Sequence, residues 1–133
     1  MVRFVAVLCF AILAALPLRA QQDQIRAVID NQIAAFQIDD FETAFGFASP
    51  EIRQIFRTPE TFGQMVRDGY PMVYRPRSYA FTELRNLSGL YQQYLQIEGP
   101  DGFVYIAEYS MVETELGWKI SGVRIFRTPQ VGT

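Results

Sequence analysis

The sequence predicts an α+β fold in which N-terminal helices pack on a curved antiparallel sheet. Three observations lead there. Apolar residues recur at helical spacing up to Gly69 and at period two beyond Pro71. Two proline-headed helix starts punctuate the first half, and glycine-rich turns punctuate the second. A helical block followed by a meander of strands buries both sets of apolar faces by laying helices on one face of the sheet.

The chain opens with a segment that does not belong to the domain. Met1-Val2-Arg3 is positive, Phe4 to Leu16 is an apolar run, and "PLRA" follows. This is the pattern of a signal peptide over residues 1–20, with cleavage expected after Ala20. The apolar run is shorter than the roughly 20 residues of a spanning helix. The expectation is therefore an exported protein, periplasmic or secreted, with no membrane contact after cleavage. Residues 21–133 are read as one domain.

In that domain the first helix is expected over Gln22 to Phe36, where Ile25, Val28, Ile29, Ile33 and Phe36 form one apolar face. Asp39 and Asp40 are placed to cap a second helix carrying Phe41, Ala44, Phe45 and Ala48. Ser49-Pro50-Glu51 and Thr58-Pro59-Glu60 each set a hydroxyl at the N-cap, proline at the first helical position and glutamate in the first turn. The first opens a helix with Ile52, Ile55 and Phe56. The second opens one with Phe62, Met65 and Val66, ended by Gly69.

After Pro71 the reading changes to strands. Met72-Val73-Tyr74 is expected as a short strand stopped by Pro76. Ser78 to Leu87 and Leu90 to Glu98 pair about a turn at Ser88-Gly89. "EGPDG" turns the chain into a strand from Phe103 to Glu113, with Phe103, Tyr105, Ala107, Tyr109 and Met111 on one face. Thr114 to Gly117 turns it again into Trp118 to Arg127, where Gly122 suits a bend. The first helix is expected in the concavity of this sheet.

Composition excludes several chemistries. Arg3 and Arg19 lie in the leader, so the domain carries ten basic and fourteen acidic residues, a net charge of −4. Such a surface does not favour nucleic acid. The only cysteine, Cys9, is in the leader and there is no histidine. Histidine-based triads and cysteine nucleophiles are thereby excluded, and neither a metal nor a cofactor is expected.

The segments "QIAAFQIDDFETAFGFASPEIRQIF", "TPETFGQMVRDGYPMVYRP" and "GWKISGVRI" resemble an exported bacterial family, domain of unknown function 4864. More distantly the layout resembles the nuclear-transport-factor-2-like (NTF2-like) superfamily, which implies a cone-shaped α+β barrel. The resemblance implies export and a small α+β domain, and no reaction.

The densest chemistry is "RDGYPMVYRPR", Arg67 to Arg77, which gathers arginines and tyrosines around two prolines. Tyr70 and Pro71 are read as structural, with the Tyr70 ring buried at the seam. Tyr74 is expected to face the concavity, with Arg75 and Arg77 at its rim, where arginine's planar fork suits an anion. Glu108 shares a strand face with Val104, Ile106, Ser110 and Val112; buried, it would have a raised pKa and serve as a base. Glu83 and Arg85 are read as sharing a face with Tyr79 and Phe81, and as pairing. The candidate ligand residues are thus Tyr74, Arg75, Arg77, Arg85 and Glu108, with no catalytic residue assigned.

Three functions remain open at this point. The first is a non-catalytic exported domain binding a small amphipathic or anionic ligand in the sheet concavity. The second is a cofactor-free lyase or isomerase using a carboxylate and tyrosines. The third is a homodimeric interaction module of the cell envelope, a habit of the superfamily that the layout resembles. A filled core of Phe41, Phe45, Phe62 and Trp118 favours a scaffold; a pocket of roughly 300 Å³ or more containing Arg85 or Glu108 favours ligand or catalysis.

Overall fold

The structure, a computed structural model, describes residues 18–129. The leader-like segment falls outside the described residues up to residue 17, and Leu18, Arg19 and Ala20 form the first turn of the first helix. Five helices, α1 (Leu18–Gln37), α2 (Phe41–Gly46), α3 (Pro50–Phe56), α4 (Pro59–Gly69) and α5 (Pro71–Tyr74), precede four strands. The strands β1 (Ser78–Leu87), β2 (Leu90–Glu98), β3 (Val104–Thr114) and β4 (Gly117–Arg127) form an antiparallel meander in chain order.

The helix starts follow from their caps. The Asp40 carboxylate accepts from Thr43 N at 3.2 Å, Ser49 Oγ from Ile52 N at 3.4 Å, and Thr58 Oγ1 from Thr61 N at 3.2 Å. Each satisfies a first-turn donor that has no intrahelical partner. Asp39 plays a different part from the expected cap: it takes a left-handed conformation (φ 56°) that ends α1, with Asp40 N donating back to Ala35 O at 2.9 Å.

Met72-Val73-Tyr74 is not a strand but the single turn α5, with Tyr74 N donating to Tyr70 O and Arg75 N to Pro71 O, both at 2.9 Å. Proline at the first helical position fixes φ for a turn, and three residues are too few for alternation to define a strand. Tyr74 and Arg75 therefore do not alternate across a pleat; Met72 and Val73 are both buried and Tyr74 is half-buried.

α1 lies across one face of the sheet. Its row Ile25, Ile29, Ile33 and Phe36 is fully buried with Leu95, Ile97, Ala107, Tyr109, Met111, Trp118 and Ile120. Polar side chains on its flanks fix its position. Arg26 Nε donates to Gln93 Oε1 at 3.4 Å, Tyr79 to Asp30 Oδ1 at 2.7 Å, and Trp118 Nε1 to Gln24 Oε1 at 3.2 Å. The N-terminus of α3 is tied to β4: Ser49 N donates to Ile120 O at 2.8 Å and Ile120 N to Phe47 O at 2.9 Å.

Two strand irregularities shape the sheet. The register of β1 on β2 shifts between Phe81 and Leu84, and that of β3 on β4 shifts between Ser110 and Met111, opposite Gly122. An extra residue in one strand bends it and changes which side later side chains face.

Candidate functional site

A cavity of about 230 Å³ lies between the inner sheet face and the helices. Its floor is buried: Gln32 and Phe36 from α1, Ala48, Phe62 and Val66 from α4, Val73 from α5, and Ile120 from β4. Half-buried Ile52, Phe56, Met65, Tyr70 and Val123 form its rim. The proline-headed helices α3 and α4 supply one wall because their apolar residues turn toward the sheet. Phe62 packs on Phe36, Phe45 and Phe56 at ring separations of 6.0, 5.4 and 5.9 Å. The aromatic cluster thus fills one side and leaves the space toward β4 open.

Among the described residues no charged side chain lines this space. Its polar side chains, among the described residues, are those of Gln32 and Tyr70. Gln32, 3% exposed, donates through Nε2 to Ala44 O at 3.0 Å. The Tyr70 hydroxyl donates to Val123 O at 3.5 Å. Tyr70 sits at the junction of α4 and α5, as expected for a seam residue, but it is half-buried and its ring borders the cavity.

The five candidate ligand residues Tyr74, Arg75, Arg77, Arg85 and Glu108 fall in three separate places, none lining the cavity. Tyr74 and Arg75 join Asp39 at the end of α1. The Tyr74 hydroxyl donates to Asp39 Oδ1; Arg75 Nη2 bridges the same oxygen at 3.1 Å, and its Nη1 donates to Phe36 O. The Arg75 guanidinium lies 4.1 Å from the Tyr74 ring centre. The Tyr74 hydrogen bond, with help from Arg75, holds the Asp39 carboxyl below the usual range, and the same bond raises Tyr74. Arg77 instead reaches the β2–β3 turn, donating to Pro100 O at 3.0 Å and standing 3.8 Å from Glu98.

Arg85 and Glu108 lie on the sheet face away from the helices. Glu108 is 7% exposed: Tyr94 donates to its Oε2 at 2.8 Å, Gln92 to its Oε1 at 3.3 Å, and Arg124 stands 3.7 Å away. The hydrogen bond to Glu108 raises the Tyr94 pKa. Arg85 pairs with Glu83 at 3.0 Å and covers the Tyr94 ring at 4.8 Å. The pairing matches expectation but the face does not. Phe81 pairs with Leu95 and Leu84 with Gln93, so the β1 bulge puts Arg85, opposite Gln92, on the outer face and away from Tyr79 and Phe81.

Sequence reasoning missed Gln32 on the cavity floor and the isolation of the Tyr109 hydroxyl. Gln32 interrupts the apolar face of α1 beside Ile33, and a glutamine in a core row is a readable signal. The expected inner face of Tyr109 is the observed one, but its hydroxyl has no hydrogen-bond partner among the described residues and burial pushes its pKa up.

The family model described as "Domain of unknown function (DUF4864)" matches residues 18–133. Among solved structures, the chain is similar to an NTF2-like protein of unknown function from Shewanella baltica OS155. The TM-score is 0.58 at 12% identity, covering 85% of this chain and 98% of that one. A second NTF2-like protein of unknown function, from Burkholderia xenovorans LB400, aligns with a TM-score of 0.50 at 12% identity, over 85% and 89% of the two chains. These likenesses show the fold, which is NTF2-like. A search of the curated proteins finds no match.

Proposed function

Because the chain belongs to the family described as Domain of unknown function (DUF4864), whose description names no reaction, we propose from the cavity alone that it is a non-catalytic binding domain for a small, mainly apolar molecule. The supporting observation is the cavity of about 230 Å³, lined mainly by apolar side chains and open at a half-buried rim. An apolar cavity of about 150 Å³ is enough to hold benzene, and drug-sized pockets begin near 300 Å³, so a fragment-sized occupant fits. The carboxylate that would serve a lyase or isomerase, Glu108, is on the opposite side of the sheet, spent on Tyr94, Gln92 and Arg124. The leader-like residues 1–20 support a place outside the cytoplasm for this activity.

Titration of the nitrogen-15-labelled protein with toluene and phenol tests the reading. Shifts should concentrate on Ile52, Val66, Gly122 and Val123 and disappear in Ile52→Trp, which fills the rim. Shifts spread over the outer sheet face, or none at millimolar probe, would overturn it.

A further inference from the structure

Resting on that reading, we infer that the occupant carries an uncharged hydrogen-bond donor, an alcohol or phenol, which is held by Gln32 Oε1 at the cavity floor. Gln32 stands in the buried row of α1 between Ile29 and Phe36, where a polar side chain needs partners. Its orientation is determined by Ala44 O, an acceptor that only the amide nitrogen can face. The carbonyl oxygen is therefore turned the other way, and it makes no hydrogen bond among the described residues. It is also not a sealed, partnerless atom: Tyr109 Oη alone is in that position among the described residues. Gln32 is one of the cavity-lining residues and only 3% exposed, which is the ground for assigning the free face of Oε1 to that space.

The second polar atom points the same way. The Tyr70 hydroxyl uses its proton on Val123 O, which leaves lone pairs at the rim. Both unengaged polar atoms are acceptors. A carboxylate ligand would lose its hydration against two acceptors and no cation, and an ammonium would do so with no carboxylate beside it. A hydrocarbon would fill the space but leave Oε1 dry and unpaired. A hydroxyl satisfies it.

The test compares para-ethylphenol with the shape-matched para-ethyltoluene, para-ethylbenzoate and para-ethylbenzylamine, titrated calorimetrically into the whole protein. The phenol should bind about tenfold more tightly than the toluene, the factor for one well-made buried hydrogen bond. The two charged probes should bind most weakly. In Gln32→Met the phenol should lose its advantage while the toluene binds as before; Ala44 O keeps the bond from Phe47 N at 3.2 Å in that variant. Equal binding of phenol and toluene, or preference for the benzoate or amine, overturns the inference and leaves the apolar-cavity reading standing. Failure of all four probes to bind removes the reading itself. The wild-type comparison decides these outcomes without the variant.

Discussion

Arg75 donates a hydrogen bond to the main-chain oxygen of Phe36, at the end of α1, while its other nitrogen bridges Asp39. A cation at a helix C-terminus both satisfies an orphan carbonyl and opposes the negative end of the dipole. The contact joins α5 to α1 beneath Tyr74.

This gives Arg75 and Arg77 different weights. Arg75→Ala should destabilise by about 1–2 kcal/mol, the scale of a charge-assisted hydrogen bond with partial solvent access. Arg77→Ala, on the surface, should stay within about 0.5 kcal/mol of wild type. Urea titrations of both compare them directly. Equal effects would mean that the α1 cap contributes nothing.

Tyr109→Phe removes a hydroxyl that is sealed from water and has no partner among the described residues. The folded protein should gain about 1 kcal/mol, because the unfolded chain loses a hydrated group that the folded one never used. A loss of stability in thermal melts would show that the hydroxyl has a partner in solution.

High pH should unfold the protein through the same residue. Burial raises the Tyr109 pKa above its ordinary value near 10, and burial together with Asp30 raises Tyr79. A raised folded-state pKa means that the stability is complete below the unfolded value. It declines once the unfolded tyrosine ionises above pH about 10, by up to roughly 1.4 kcal/mol per pH unit for Tyr109. Denaturation midpoints between pH 8 and 11.5 should fall only above about 10, and less steeply in Tyr109→Phe. An identical slope in the mutant would remove Tyr109 from this account.

Ser49→Ala and Thr58→Ala should each lower stability by about 0.5–2 kcal/mol. The Ser49 change also touches the join between α3 and β4, since Ser49 N holds Ile120 O. Melting curves unchanged in both would mean that the hydroxyls do not support the helix starts.

Gly63→Ala should be costly for a local reason. An added Cβ would overlap the Phe41 ring. Relieving that overlap should take about 1–3 kcal/mol, as overpacking does. Gly63→Ala in a Phe41→Leu background should recover part of the loss, and a double-mutant cycle measures it.

Much of this architecture was legible because local chemistry wrote it. Ser49-Pro50 and Thr58-Pro59 mark helix starts, and the alternation through Tyr105, Ala107, Tyr109 and Met111 gave the correct inner face of β3. Tyr70-Pro71 carries the same proline signal without a capping hydroxyl, so α5 read as a strand. The site was legible only in part. Parity arguments for Arg85 failed at a bulge, which is set by pairing with β2 rather than by β1 itself. The cavity is an outcome of how α3 and α4 sit over β4, a long-range relation. Gln32 alone announced it, as a polar residue where the helix pattern calls for an aliphatic one.

The β1 bulge has a consequence for the company this protein keeps with itself. β1 is an outermost strand, and a regular outermost strand offers a row of unpaired amides and carbonyls to any passing chain. The register shift at Thr82 and Glu83 breaks that row, and the charged pair Glu83–Arg85 sits beside the break. On the other flank, Phe47 and Ser49 already occupy both backbone groups of Ile120. A foreign strand therefore meets a misaligned template at β1 and, at Ile120 of β4, backbone groups already in use, and both features oppose strand addition.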